Sequence, residues 1–141
     1  MTPKRPFPVT FLALIVLLIA ILNGARFVAA LHSWDVLTAY APHPGPFYIA
    51  LTGLFWCLAG LLTGCGLWRL HPKGWMTAWA FCLLYPAYTW LDRLFAQSDP
   101  FRANLPFALG VTIVFILYAL LTLIGSKSIF LRGNHEQKVQ N

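Results

Sequence analysis

Few side chains in this sequence could carry covalent or metal chemistry, and they are spread thinly along it. The three cysteines, Cys57, Cys65 and Cys82, form no CxxC pair, so the motif that thiol–disulfide exchange needs is missing. The four histidines have no metal-ligand spacing with cysteines or acids, and none lies mid-way along an apolar run. No Gly-rich phosphate loop is present. We therefore expect no cofactor, no catalytic residue and no metal ligand, with a membrane enzyme of dispersed site as the least favoured alternative.

One pair of charged residues stands out because both members fall deep in long apolar stretches. Arg26 and Asp92 each lie about 18 residues from the same end of their helices, or roughly 27 Å along the axis. Ionisable groups at that depth in a membrane turn inward and pair. The sequence therefore predicts an Arg26–Asp92 interaction within a polar cluster that also holds Asn23, Thr89 and Tyr85.

Local alternatives to this pair remain open at the sequence level. Arg26 could pair with Asp35 or extend outward alone, and Asp92 could pair with Arg93 beside it. A cross-helix pair would fix the register of two helices, or it would line the outer mouth of a small polar cavity.

Small side chains form a stripe along one predicted helix. They recur at steps of three and four, which places them within an arc of about 80°. The stripe consists of Ala50, Gly53, Cys57, Gly60 and Gly64. Its last two members form a GxxxG motif, and small residues let membrane helices approach closely. The pattern predicts a helix-packing face, used either within one chain or between chains.

The elements that must position these residues follow from composition. Of the 141 residues, 59% are hydrophobic and 10% are charged, against about 25% charged in soluble domains. Charges are absent from four windows, at 6–25, 36–68, 74–91 and 103–126. Each window can hold one membrane span of roughly 17–25 residues. We predict an all-α membrane protein, one domain over 1–141, with four transmembrane helices in an up-down-up-down bundle. The predicted spans are 8–30, 46–69, 74–95 and 104–125.

The segment after the first span has a different pattern. Over 27–41, apolar residues recur at spacings of three and four while polar residues fall on the other side, which is typical of an amphipathic helix. It either prolongs the first span or lies in the outer interface as a cap, a docking element or a gate. The first apolar run also resembles a signal peptide, so cleavage before residue 31 remains an alternative.

Orientation follows from the distribution of Lys and Arg. Seven of them fall on the side that holds both termini, namely Lys4, Arg5, Arg69, Lys73, Lys127, Arg132 and Lys138. Three fall on the opposite side, namely Arg26, Arg93 and Arg102. The positive-inside rule therefore predicts cytoplasmic termini and a cytoplasmic tail over 127–141. The net charge of +6 then faces anionic lipid, which accounts for the basic balance without nucleic acid.

Two local strings, Tyr48–Leu54 continuing to Arg69 and Tyr88–Leu94 followed by 104–109, resemble a loose group of bacterial four-helix membrane proteins of uncharacterised function. The resemblance covers the second to fourth spans. It implies a multi-pass protein of the bacterial cytoplasmic (inner) membrane and carries no activity, ligand or site.

The function that these observations favour is non-catalytic. We expect a small accessory or scaffolding subunit that acts through helix–helix contacts with itself or a larger membrane complex. The alternative is a small transporter, channel or lipid-handling protein with a polar pathway from the outer face through the Arg26–Asp92 cluster. Apart from these protein contacts, the lipid bilayer is the expected partner.

Overall fold

The computed structural model describes residues 6–40, 45–96, 104–128 and 130. Every regular element in these ranges is helical, so the all-α prediction is confirmed for them. The α-helices are α1 (Phe7–His32), α2 (Trp34–Tyr40), α3 (Pro46–Trp68), α4 (Pro72–Leu91) and α5 (Leu105–Gly125). Most of the predicted tail over 127–141 lies outside the described residues, as does the last residue of the predicted amphipathic segment.

Proline begins each of the four long helices, at N1 or N2. The first turn of a helix tolerates proline because its N–H groups have no intrahelical partner there. The observed bounds differ from the predicted spans by a few residues. The largest difference is at the end of the third span, where α4 stops at Leu91 and a π-helical turn, Asp92–Ala96, continues to the predicted end.

The predicted amphipathic segment begins as a prolongation of α1. The helix continues to His32, turns at Ser33 and resumes as α2, with the Ser33 N–H bonded to Ala29 and the Leu37 N–H bonded to Ser33. None of the α2 residues is buried. This short helix therefore does not seal the end of the bundle as a packed cap would.

A tight turn joins α3 to α4. Leu70 has a φ of 53°, the left-handed conformation that usually selects glycine after a helix. The His71 N–H bonds to the Gly66 carbonyl and the Leu70 N–H to the Leu67 carbonyl, which is the Schellman arrangement. A Cβ on Gly66 would lie 2.8 Å from the Gly74 Cα, so the two backbones touch directly after the turn.

The contact between α1 and α3 is antiparallel, since Gly53 lies against Asn23 and Gly64 against Leu17. The most extensive contact is between α1 and α3, followed by that between α3 and α4. The last helix, α5, is joined to α4 and α1 by hydrogen bonds from aromatic side chains, one of them from Trp90 to the Thr112 hydroxyl at 3.2 Å. Trp75 donates to the Leu123 carbonyl at 3.0 Å, and Tyr118 donates to the Pro8 carbonyl at 2.9 Å.

Among the residues that the structure describes, three helices, α1, α3 and α5, are long and apolar enough to cross a membrane. The fourth predicted span, α4, does not belong to this set, because its apolar residues are interrupted by polar ones. Burial is also uneven: 17% of the most apolar window of α5 is buried, against 33% for α1 and α3. The structure thus supports a membrane protein whose last helix is loosely packed.

Candidate functional site

The Arg26 and Asp92 side chains come together across α1 and the end of α4. Arg26 Nη2 lies 3.6 Å from Asp92 Oδ2, a distance for an ion pair rather than a short hydrogen bond. Asp92 is 4% exposed, whereas the Arg26 side chain is 34% exposed. The carboxylate is therefore enclosed by protein, and the guanidinium reaches outward at the rim of the bundle.

Tyr48 is the second partner of this carboxylate, and the sequence analysis did not find it. Its hydroxyl donates to Asp92 Oδ1 at 2.8 Å. Tyr48 lies in the first turn of α3, at the same end of the molecule as Asp92. The signal for it is depth in the membrane: a neutral hydrogen-bond donor at the level of Asp92 can bond that carboxylate just as a charged residue can.

The position of Asp92 depends on a change in helix type. The α-helical hydrogen bonding of α4 ends at Leu91, and Asp92 begins the π-helical turn. A π turn is wider than an α turn and recurs at functional positions. Here the turn contains the carboxylate that Arg26 of α1 and Tyr48 of α3 both contact, so three long helices meet at one buried charge.

Asn23 and Tyr85 form a separate contact nearer the middle of the bundle. The Asn23 amide donates to the Ile19 carbonyl at 2.9 Å and to the Tyr85 hydroxyl at 3.2 Å. The Tyr85 ring stacks on Phe81 with a centroid distance of 5.4 Å and meets Trp56 edge-on at 5.1 Å. These aromatic contacts fix the direction of the Tyr85 hydroxyl.

Thr89 is not bonded to the predicted cluster. Its hydroxyl donates to the Pro86 carbonyl at 2.8 Å, within its own helix. Since a threonine hydroxyl in a helix readily bonds a backbone carbonyl three or four residues before it, local bonding outcompetes the cross-helix partner. Thr89 and Tyr85 instead share the wall of a cavity of about 240 Å³ between α1, α4 and α5.

The small-residue stripe of α3 packs against α1 of the same chain. An added Cβ would lie 3.0 Å from the Asn23 carbonyl at Gly53, 2.8 Å from Ala20 Cβ at Gly60, and 2.6 Å from Leu17 Cδ2 at Gly64. A Cβ added to Gly24 of α1 would lie 3.1 Å from the Cys57 Sγ, and Ala50 is buried. The stripe is therefore occupied within the chain, and the backbones approach closely because no side chain separates them.

An apolar groove lies between α1 and α5, beside their contact at Tyr118. It encloses about 640 Å³ and is lined almost wholly by apolar atoms. Six of its residues are Phe11, Ile15, Phe107, Gly110, Val114 and Tyr118. Nothing lies within 4 Å of a Cβ built on Gly110, in contrast to the glycines of α3. The groove shares Ile15, Val111 and Phe115 with the cavity at Tyr85, so the two are adjacent.

The chemistry available in these places is limited. Among residues 6–40, 45–96, 104–128 and 130, no three His, Cys, Asp or Glu side chains are grouped to hold a metal ion. The site offers a buried carboxylate bound by Arg26 and Tyr48, and an oriented phenol at Tyr85 beside an apolar groove. Comparison with protein-family models, curated proteins and solved structures finds no match for this chain.

Proposed function

We propose that this chain is a four-span protein of the bacterial cytoplasmic membrane with both termini in the cytoplasm. The support for the fourth span is that α4 has 20 residues, or about 30 Å of helix, enough for the hydrocarbon core. It also lies beside α3 and α5, both apolar enough to span. The polar residues that lower its hydropathy include Tyr85 and Thr89, which face the cavity between helices.

Within that membrane, the proposed role is that of an accessory subunit that receives a transmembrane helix of a partner in the α1–α5 groove. The observation that carries this proposal is Gly110. Glycine costs a helix interior about 1 kcal/mol relative to alanine, and it is retained in membrane helices where another backbone approaches. In α3 that approach is made by α1, whereas at Gly110 no part of the described chain fills the space.

The shape of the groove agrees with a helical occupant. Phe107, Gly110, Val114 and Tyr118 recur at steps of three and four, so they form one face of α5. This face is apolar and is not covered by α1, which reaches α5 chiefly at the Tyr118 end. In lipid, the attraction between helices comes from close packing, and an open glycine with flanking bulky residues provides a surface for it.

A photocrosslinking amino acid at Val114, which is 67% exposed in the groove, tests this role in native membranes. We expect one discrete adduct, at twice the monomer mass for a second copy or at another mass for a different subunit. Gly110→Leu is expected to abolish the adduct by filling the groove.

Gly125→Leu is the matched control, because Gly125 is also open but does not line the groove. It should leave the adduct unchanged. If Gly110→Leu and Gly125→Leu give the same adduct yield as the parent protein, helix docking in the groove is wrong.

A second candidate role, binding a membrane amphiphile, is favoured by Tyr85. Its hydroxyl accepts from Asn23, and no described residue accepts its own proton, so it can donate into the adjoining cavity. The walls of that cavity include Tyr85 and Thr89 of the predicted polar pathway, but not Arg26 or Asp92. Tyr85→Phe should then reduce labelling by a photoactivatable fatty ester several-fold, whereas Tyr40→Phe should not.

A further inference from the structure

Another cavity lies at the opposite end of the molecule from the Arg26–Asp92 pair. It encloses about 340 Å³ between α1 and the end of α3. Its walls are Leu14 and Leu17 of α1 together with Cys65, Trp68 and Arg69. Four of these five residues are apolar or weakly polar, and the fifth is a permanent cation, so the cavity is itself amphipathic.

The cavity lies on the outer side of the close contact between α1 and α3. Leu17 lies directly on Gly64, where an added Cβ would meet its Cδ2 at 2.6 Å. The next residue, Cys65, has turned off that packing face and is exposed. Space is therefore left along the outer side of the helix pair, open to the surrounding hydrocarbon.

The charges at this end of the molecule are of one sign. Arg69 is exposed and forms no ion pair with any described residue. Lys73 lies at the start of α4, directly after the turn that joins α3 to α4. Lys127 follows α5 at the same end. No Asp or Glu of the described ranges is present here, since Asp35 and Asp92 both belong to the other end.

We propose that this cavity binds one anionic phospholipid. The lipid phosphate contacts the Arg69 guanidinium, which matches phosphate oxygens in a bidentate geometry. The acyl chain lies over Leu14, Leu17 and Cys65, and Trp68 is placed where indoles favour the boundary between headgroups and hydrocarbon. This inference is independent of the α1–α5 groove and of which leaflet the Arg69 end faces.

Native mass spectrometry of the detergent-purified chain tests the proposal, with phosphatidylglycerol and phosphatidylcholine of the same acyl chains as probes. Both lipids offer the phosphate, but the choline cation of phosphatidylcholine is repelled by Arg69, so we expect the first phosphatidylglycerol to be retained about fivefold better. Arg69→Gln should remove this preference. Cys65→Trp, at an exposed position, should lower retention of the anionic lipid by filling the cavity without disturbing the core.

Lys127→Gln is the matched control, because it removes the same charge from the same end without lining the cavity. It should retain the preference. Equal losses in Arg69→Gln and Lys127→Gln would show a diffuse basic surface and overturn the proposal, as would an unchanged Arg69→Gln. A third arm uses inorganic phosphate: if it displaces phosphatidylglycerol at equal concentration, the site binds a free anion rather than a lipid.

Discussion

At the scale of single residues, the buried carboxylate of Asp92 connects the end of α4 to α1 and α3. It is satisfied from two sides, by a charged partner on α1 and by a phenol on α3. Removing either partner leaves part of a buried charge unsatisfied, which costs more than the contact itself contributes. The short bond from Tyr48 and the longer Arg26 pair therefore act together in holding the ends of three helices.

Tyr48→Phe is expected to lower the free energy of unfolding by about 1–3 kcal/mol, because it deletes a hydrogen bond to an ionised acceptor and changes little volume. Thermal or denaturant unfolding in mild detergent measures the effect. Tyr40→Phe is the control, since Tyr40 is 86% exposed. If the Tyr48→Phe and Tyr40→Phe proteins are equally stable, the hydrogen bond from Tyr48 to Asp92 contributes nothing to the free energy of unfolding.

The sequence predicted the site in part, and the differences have physical causes. The equal depth of Arg26 and Asp92 was enough to predict their contact, because helix rise and membrane thickness together determine the level at which each residue lies. The partners of Asn23 and Thr89 could not be derived, because neutral polar groups choose among nearby carbonyls and hydroxyls by small differences in geometry. Tyr48 was not predicted, because a neutral phenol in the first turn of a helix carries no charge that marks it as a partner of Asp92.

At the scale of elements, the fold rests on the contact between α1 and α3. Helices pack closely only where side chains are small, and the structure uses the stripe of α3 for this purpose within the chain. The sequence predicted the stripe but not its partner, because spacing defines a face and says nothing of which helix covers it. The looseness of α5 also had no sequence signal, since an apolar helix looks the same whether lipid or protein surrounds it.

Gly60→Leu is expected to destabilise the chain by about 1–3 kcal/mol or more, because the new side chain would meet the backbone and Cβ of Ala20. The midpoint of thermal unfolding in detergent, followed by circular dichroism, measures this loss. Gly125→Leu, where nothing lies within 4 Å, should leave the midpoint unchanged. Equal midpoints for the two variants would contradict the assigned α1–α3 interface.

At the scale of the whole molecule, charge is distributed unequally between the two ends. The two acidic residues that the structure describes, Asp35 and Asp92, lie at the same end as Arg26. The basic residues Arg69, Lys73 and Lys127 lie at the other end. The number of membrane crossings decides whether the two termini lie on the same side of the membrane. By length and composition alone, three of the described helices can cross a membrane. The fourth crossing is proposed from the length and packing of α4.

Reporter fusions at both ends of the chain test the proposed topology. With four crossings and positive-inside orientation, reporters before Met1 and after Asn141 should both be active in the cytoplasm. Three crossings would place the two reporters on opposite sides. A periplasmic signal after Asn141 would contradict the proposed orientation.

The left-handed turn at Leu70 bears on how such a chain is assembled. A segment as polar as α4 partitions poorly into lipid by itself, whereas α3 partitions well, and only three residues separate them. Biogenesis of a four-span chain would thus depend on the two helices leaving the translocon together as a preformed hairpin, closed by the Gly66–Gly74 contact. In a microsomal glycosylation assay, α4 alone should fail to integrate, and α3 with α4 should integrate as a pair.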